Sequence, residues 1–237
     1  MAVVKPFPSI RPANHLVKDI AALPYDVYSE MEARAYVKNK PLSFLNIDRA
    51  EVNFPEGTDL YSQQVYDKAS ALLREMLAKG QYIKDQTPYF YIYQLDNGVT
   101  RQTGVVARSS IDDYIQDVIK KHELTREDKE LDRIRHVDNC NANTGPIFMA
   151  YRSNETIATL IERIKLQSPV YDFVSDEGTD QKVWIVDQAQ DIIDLEEAFK
   201  GVSTLYIADG HHRAASAVKV GLKRREAHPD YTGKEAY

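Results

Sequence analysis

The stretch TLYIADGHHRAASAV, residues 204–218, decides both the fold and the site of this protein. An apolar run stops at Asp209 and Gly210, two histidines and Arg213 follow, and alanines then recur at helical spacing. The pattern predicts a strand over 204–208 that leads directly into a helix. Glycine permits a tight turn or a positive φ, and the first N–H groups of a helix have no partner within the helix. The junction is therefore a candidate anion-binding site.

The side chains at this junction suit different ligands. Arg213 offers a planar fork of donors for a phosphate or a carboxylate. Asp209 repels phosphate, but it suits a helix cap, a magnesium ligand or a partner for a hydroxyl group. His211 and His212 are adjacent, point apart on a helix and lack ligands at i, i+4 spacing, which disfavours zinc. The alternative is that Asp209 only caps the helix and that the histidines are surface residues.

Composition bounds the class of protein. The chain has 237 residues, 43% of them hydrophobic and 28% charged, as in an ordinary water-soluble globular protein. We expect a single region over 1–237, with a possible subdivision into 1–87 and 88–237. The net charge of −6 disfavours nucleic acid as a partner held by bulk electrostatics.

Cellular location follows from the N-terminus and from cysteine usage. Cys140 is the single cysteine of the sequence, so the chain has no internal disulfide, and a reducing compartment fits best. The N-terminal residues lack the apolar stretch of a signal peptide, and no apolar run approaches the length of a membrane span. The sequence predicts a cytoplasmic protein.

Periodicity predicts a mixed α/β arrangement. The capping-box pattern of Ser29 and Glu32 starts a helix, and Asn97-Gly98 supplies the turn of a hairpin over 89–107. Predicted helices cover about 30–37, 59–79, 155–166 and 191–200, and two more start at Ser110 and Thr125. Predicted strands besides the hairpin cover 146–151, 170–175, 182–187 and 204–208.

A second basic element lies in residues 122–136. If Thr125 caps the helix, four basic residues share one stripe at three- to four-residue spacing: Arg126, Lys129, Arg133 and His136. Such a stripe suits a polyphosphate. The alternative is a solvated helix face with pairs such as Arg126–Glu130.

Three ordered motifs identify the chain as resembling a known family. They are YIADGHHRAAS at 206–216, LPYDVYS at 23–29, and KHELTREDKELDR at 121–133 followed by GPIFMAY. All three resemble the domain-of-unknown-function family ten-fifteen, which is similar in turn to the ParB/sulfiredoxin superfamily. The resemblance implies a mixed sheet with flanking helices. It also implies that a Gly-His-Arg-like motif at a strand-to-helix turn holds nucleotide phosphates.

The resemblance implies roles for individual residues. The adenine nucleotide, ATP or ADP, would be bound by Gly210, His211, His212, Arg213, His122, Lys129 and Arg133. Asp209 would bind Mg²⁺ or the substrate, and Glu123 belongs to the catalytic candidates. In the superfamily's free serine kinases a carboxylate from the N-terminal part is the general base. Asp26 or Glu30 is its equivalent here, and the alternative is that Asp26 only forms a turn.

Two function classes follow. The first is a nucleotide-dependent phosphotransferase acting on a small hydroxyl metabolite such as free serine, or a phosphatase acting on the phosphorylated product. The second is a non-catalytic nucleotide-binding switch of the ParB type. Sulfiredoxin chemistry is not expected, because it needs a cysteine where the motif has His211. Cys140 is then an incidental loop thiol.

The C-terminal end carries one more expectation. In HPDYTGKEAY, Thr232 and Glu235 have capping-box spacing for a helix that would start there. Members of the family continue further, so we expect the chain to be the N-terminal part of a longer protein. The fold would be incomplete at its C-terminus, and the strand before the junction would lack a neighbour.

Overall fold

The computed structural model describes residues 1–228, 230 and 232. Its α-helices are α1 (Val17–Ile20), α2 (Glu30–Val37), α3 (Leu45–Asp48), α4 (Gln63–Ala78), α5 (Ile111–Ile115), α6 (Glu127–Cys140), α7 (Glu155–Ile164), α8 (Ala189–Lys200) and α9 (His211–Ala227). Its strands are β1 (Val4–Lys5), β2 (Ile10–Pro12), β3 (Tyr82–Lys84), β4 (Phe90–Asp96), β5 (Arg101–Val106), β6 (Arg108–Ser109), β7 (Ile119–Lys120), β8 (Phe148–Ala150), β9 (Tyr171–Val174), β10 (Asp180–Val186) and β11 (Leu205–Asp209). The mixed α/β composition is as predicted. The strands form four small sheets, rather than one mixed sheet.

The predicted capping box at the start of α2 is confirmed. The Ser29 hydroxyl accepts from the Glu32 backbone N–H at 3.3 Å, and the Glu32 carboxylate accepts from the Ser29 backbone N–H at 2.8 Å. Helix α2 spans the predicted residues. Local hydrogen bonds of this kind depend on few residues, which explains why the sequence places this helix so well.

The predicted hairpin, β4 with β5, is also confirmed, and it forms part of a four-stranded antiparallel sheet in the order β5-β4-β10-β9. Trp184 on β10 lies opposite Ile92 on β4. Both side chains are buried, and they pack with residues of α7 and α8 in the larger hydrophobic cluster of the described residues. A smaller cluster, in which Ile47 and Ala69 are fully buried, packs around α3 and α4. The subdivision near residue 87 stays a prediction.

The junction strand is paired on both edges. In the three-stranded sheet β7-β11-β8, β11 runs parallel to β7 and antiparallel to β8. The expectation that this strand lacks a neighbour is therefore wrong, because residues far away in sequence supply both partners. The register between β11 and β8 shifts between Ile207 and Asp209. Such an irregularity bends a strand and changes the direction of its last side chains.

Helix α6 begins one residue later than a Thr125 cap would place it. Arg126 is the N-cap residue, and the Thr125 hydroxyl donates to the Glu130 carboxylate instead of capping the helix. The Arg126 backbone N–H donates to Nε2 of His212 at 3.1 Å. A side chain of α9 thus binds the N-cap residue of α6. The spacing of residues within α6 does not predict this contact.

The predicted basic stripe of α6 is divided between solvent and the interior. Arg126 and Lys129 are exposed, whereas Arg133 and His136 are buried. Burial and the nearby Arg133 charge lower the pKa of His136 from its ordinary value, so the imidazole is neutral at neutral pH. The stripe is neither a continuous phosphate-binding surface nor a solvated face.

Arg133 is held by a buried polar network. Its guanidinium donates to Asp48 of α3 at 3.1 Å and to Asp132 at 3.0 Å, and it lies 4.2 Å from the centre of the Tyr25 ring. Asp48 also accepts from the Thr144 hydroxyl at 3.0 Å. The network joins α3, α6 and the short 3-10 turn at Tyr25–Val27.

We expect Arg133→Met to destabilise the fold by about 3–5 kcal/mol, because it leaves the buried Asp48 carboxylate without its charge partner. The matched control is Arg135→Met on the same helix, whose side chain is exposed and where we expect a change within about 0.5 kcal/mol. Urea unfolding of both variants measures the difference. Equal losses of unfolding free energy in the two variants would show that the buried Arg133–Asp48 pair does not stabilise the fold more than an exposed arginine does.

Two remaining observations concern the chain as a whole. Within the described residues, no helix combines the length and the hydropathy that crossing a bilayer requires. The helix start predicted from Thr232 and Glu235 lies outside what the structure describes, since Glu235 is not among the described residues.

Candidate functional site

The end of β11 and the start of α9 form one side of a small cleft, which we call the junction cleft. Its volume is about 170 Å³. The residues that line it are Tyr25, Asp26, Glu123, Ala208, Asp209, Gly210, His211, His212 and Arg213. They come from three segments that are far apart in sequence, and each segment belongs to one of the motifs singled out above. Seven of the ten predicted site residues lie here, namely Asp26, Glu123, Asp209, Gly210, His211, His212 and Arg213.

Gly210 turns the chain from β11 into α9. It is the N-cap residue and has φ of 92° and ψ of 34°, in the left-handed region that disfavours other residues. Its backbone carbonyl accepts the first helical hydrogen bond, from Ala214 at 2.9 Å. The N–H groups of the first helical residues are then without partners inside the helix. The N-terminus of α9 therefore places the positive end of the helix dipole at the cleft.

Arg213 braces the junction. Its guanidinium donates to the Asp209 carboxylate at 2.5 Å and to the backbone carbonyl of Pro146, just before β8. The side chain is only 11% exposed. A Cβ added to Gly145 would lie 3.3 Å from it, and one added to Gly210 would lie 3.1 Å from it. Two of its five N–H donors are thus used within the protein, and the side chain fixes the strand-to-helix turn against the segment before β8.

His212 connects the cleft to the segment that precedes α6. Because its Nε2 accepts from the Arg126 backbone N–H, this nitrogen carries a lone pair. The contact holds the loop between β7 and α6 beside the start of α9. Glu123, in that loop, has a 60% exposed side chain and lines the cleft from this side.

His211 is buried, unlike its neighbour in sequence. Its Nδ1 lies 3.3 Å from a carboxylate oxygen of Glu123, and its ring packs edge-on against His122 with the centroids 4.4 Å apart. Its Nε2 is buried and has no hydrogen-bond partner among the described residues. His122 itself is exposed and does not line the cleft.

Asp26 enters the cleft from the N-terminal part of the chain. It lies in the 3-10 turn Tyr25–Val27, after Pro24, and its side chain is exposed. The Tyr25 ring beside it lines the cleft on one face and contacts Arg133 on the other. Sequence reasoning did not single out this tyrosine, although it stands next to Asp26 in the LPYDVYS motif.

Besides His122, two other candidates lie away from the cleft. Lys129 is exposed on α6, Arg133 is buried against the Tyr25 ring, and neither is among the lining residues. Cys140, expected in a loop, is instead the half-buried last residue of α6, where burial raises the pKa of its thiol to about 11. A thiol with so high a pKa is unreactive at neutral pH, in agreement with an incidental role.

Charge decides what the junction cleft can hold. Among its lining residues three carboxylates, those of Asp26, Glu123 and Asp209, outnumber the single guanidinium of Arg213. A polyphosphate entering alone would meet net repulsion beyond the reach of the helix N-terminus. A divalent cation removes this repulsion, and Asp209, whose side chain is 64% exposed, offers oxygen to it. The lining therefore fits a phosphate bound together with Mg²⁺.

The comparisons with known proteins place the chain in a family. Residues 4–237 match the sequence model of the family described as protein of unknown function (DUF1015). The chain belongs to this family. No curated protein and no solved structure matches the chain. The family suggested by the three motifs is thus confirmed, and the similarity to the ParB/sulfiredoxin superfamily stays a prediction.

We expect Gly210→Ala to destabilise the protein by about 1–2 kcal/mol through backbone strain and, in addition, to displace Arg213. Gly178→Ala is the matched control, because Gly178 also has a positive φ, of 80°, but a Cβ there would meet open space. Hydrogen–deuterium exchange separates the two effects. Faster exchange near Pro146 should appear only in Gly210→Ala, and equal exchange in both variants would contradict the bracing role.

Proposed function

We propose that this protein is a nucleotide-dependent phosphotransferase that acts on a small hydroxyl metabolite such as free serine. The observation that carries the proposal is the convergence, in one cleft, of a helix N-terminus with carboxylates from three distant segments. The reverse reaction, hydrolysis of the phosphorylated metabolite, would use the same groups. The junction motif's resemblance to that of the ParB/sulfiredoxin superfamily, which includes free serine kinases, supports this choice.

Phosphates would bind at the start of α9. The backbone N–H groups of residues 211–213 and the dipole of a 17-residue helix favour an anion at this point. Gly210 supplies the positive φ of the turn, and Arg213, packed against Gly210, fixes the turn that presents these N–H groups. Lys129 and Arg133 do not line the cleft, so the proposal gives neither a contact with the transferred group.

Mg²⁺ would bind at Asp209, which is the last residue of β11 and mostly exposed. Magnesium in phosphoryl-transfer sites is usually held by one or two carboxylates together with the phosphates of the substrate. When bound, it neutralises the charge that develops on the transferred group. In this chain, Arg213 holds the Asp209 carboxylate in place through its hydrogen bond.

Asp26 would be the general base. Its carboxylate has no helix to cap, it lines the cleft, and it lies on a different segment from the phosphate-binding turn. A base on the opposite segment suits a metabolite hydroxyl placed between the two. Glu123 is the second candidate for this role, since it also lines the cleft.

The volume of the cleft restricts the substrate. Its 170 Å³ is well below the roughly 300–1,000 Å³ that enclose a drug-sized ligand. The cleft would thus enclose the reacting phosphoryl group with a metabolite of few atoms, while the nucleoside would lie against the surface outside it. Its mainly polar lining, with four charged side chains among nine residues, favours a polar metabolite over an apolar one.

Nucleotide binding is the first test of this proposal. We expect ATP or ADP with Mg²⁺ to raise the melting temperature, since a ligand that binds only the folded state stabilises it. Without Mg²⁺ the shift should be much smaller, because three carboxylates then face the phosphates. The Arg213→Ala variant should bind about 5- to 150-fold more weakly, equivalent to about 1–3 kcal/mol. Arg163→Ala, on an exposed pair with Asp191, is the control. Unchanged affinity in a folded Arg213→Ala variant would contradict the phosphate site.

Catalysis is tested at Asp26. We expect Asp26→Asn to lower turnover by about 10²–10⁴-fold while nucleotide affinity is retained, because only proton removal is lost. The exposed Asp19, mutated to Asn, is the matched control. Wild-type turnover in Asp26→Asn would move the role to Glu123. Nucleotide binding without transfer or hydrolysis, across a panel of hydroxyl metabolites, would favour the nucleotide-binding switch instead.

A further inference from the structure

Beside the junction cleft lies a group of three side chains with nitrogen and oxygen ligand atoms, of which Glu123 and His211 line the cleft. His122, Glu123 and His211 each offer one such atom, and the three atoms lie within 4.8 Å of one another. The separation between Nδ1 of His211 and the Glu123 carboxylate oxygen is 3.3 Å. This is longer than the roughly 2.7–2.9 Å of a charge-assisted hydrogen bond. It equals the spacing of about 3.3 Å between two ligand atoms that surround one ion tetrahedrally with bonds of about 2.0–2.1 Å.

The burial of His211 shows what orients its ring. Its side chain is 4% exposed, yet Nε2 finds no hydrogen-bond partner among the described residues. A buried polar atom without a partner costs about 1–3 kcal/mol. The ring is thus oriented by its contacts with His122 and Glu123 and not by hydrogen bonds, although buried imidazoles are usually held by them. A metal ion bound at Nδ1, the nitrogen that faces Glu123, would hold the ring in this orientation, and Nε2 would remain the N–H side of the ring.

We infer that His122, Glu123 and His211 bind a divalent transition-metal ion with the ligand preferences of Zn²⁺. Two imidazoles and one carboxylate form a ligand set found in catalytic zinc sites, in which a fourth position is left to water or to a ligand oxygen. Imidazole is a poor ligand for Mg²⁺, which prefers oxygen. The site therefore differs in metal from the one proposed at Asp209, and the inference does not rest on the proposed phosphotransferase activity.

Sheet topology explains how residues 89 positions apart come to share one ion. Strands β7 and β11 are parallel, with Tyr206 opposite Lys120, so the chain leaves both strands at the same edge of the sheet. His122 follows the end of β7 by two residues, and His211 follows the end of β11 by two residues. Ligand sites in sheets with parallel strands commonly lie beyond these carboxyl ends. The hydrogen bond from Arg126 to His212 then holds the loop with Glu123 against α9.

The inference gives His122 and His211 a role different from the phosphate contacts that the family resemblance implies for them. An imidazole nitrogen binds a metal cation through its lone pair, whereas a contact with a phosphate needs an N–H at the same atom. A cation at this site would also offset the surplus of carboxylates in the cleft.

Metal titration of the full chain, stripped with a chelator and free of nucleotide, tests this site. We expect one Co²⁺ ion per chain with the visible absorption of a four-coordinate complex, displaced by Zn²⁺ and not by excess Mg²⁺. His122→Ala and Glu123→Gln should weaken Zn²⁺ binding by at least about 10–100-fold, the loss known for lesser changes around metal ligands. Both residues are exposed, so these variants should keep the fold.

Matched controls are His15→Ala, an exposed histidine in another part of the chain, and Cys140→Ser, which removes the single thiol. Both should bind Zn²⁺ as the wild type does. Absence of Co²⁺ and Zn²⁺ binding at micromolar concentration, or wild-type affinity in both ligand variants, would overturn the inference and leave a histidine–carboxylate ion pair. Nucleotide binding with Mg²⁺, measured separately on the stripped protein, shows whether the proposed function stands or falls on its own.

Discussion

The buried guanidinium of Arg133 is the constraint on which the arrangement of the N-terminal half and the cleft depends. It lies between two carboxylates, those of Asp48 on α3 and Asp132 on α6, and it stacks against Tyr25. A buried charge is tolerated only when partners and hydrogen bonds replace its hydration. The hydrogen bond between Arg133 and Asp48 thereby fixes the position of α6 relative to α3. Because Tyr25 lines the junction cleft, the same contact determines where Asp26 lies.

Polar contacts also align α6 with α9. Along the interface of α6 and α9, Asp138 accepts from Lys223 at 2.5 Å and from Arg224 at 3.1 Å. The hydrogen bond from Lys223 lowers the pKa of Asp138, so this carboxylate stabilises the folded state above its unfolded pKa and loses that contribution as the pH falls through its folded pKa. His212 adds the contact with the start of α6. Two helices that are nearly ninety residues apart are thus aligned through charged groups and not only through apolar packing.

The junction cleft combines features that oppose one another when no ligand is bound. A helix N-terminus attracts anions, while three carboxylates repel them and attract cations. An arrangement with both signs suits a ligand that itself contains both, such as a metal-bound phosphate. Two N–H donors of Arg213 are bound to Pro146 and Asp209, which fixes this side chain where it lines the cleft. Its part is to hold Gly210 and the first turn of α9 in the geometry that exposes backbone N–H groups.

The sequence by itself determined the local elements. The capping box at Ser29, the hairpin around Asn97-Gly98 and the turn from β11 into α9 depend on neighbouring residues, so spacing is sufficient to predict them. The motifs also identified the family and six of the residues that line the cleft, besides Asp26. Where this reasoning was wrong, a distant residue had intervened. His212 meets the start of α6 where a Thr125 cap was expected, and β7 and β8 cover both edges of the junction strand.

Only the tertiary structure decided which of the basic residues of α6 are buried and which histidines meet. Periodicity gives the face on which Arg133 lies but not what packs against that face, since Asp48 is 85 residues away. Likewise, adjacent histidines argue against a shared metal along one helix, whereas the parallel pairing of β7 with β11 brings His122 to His211 from another segment. Burial and proximity between distant segments come from the packing of the whole chain. Local sequence patterns therefore do not predict them.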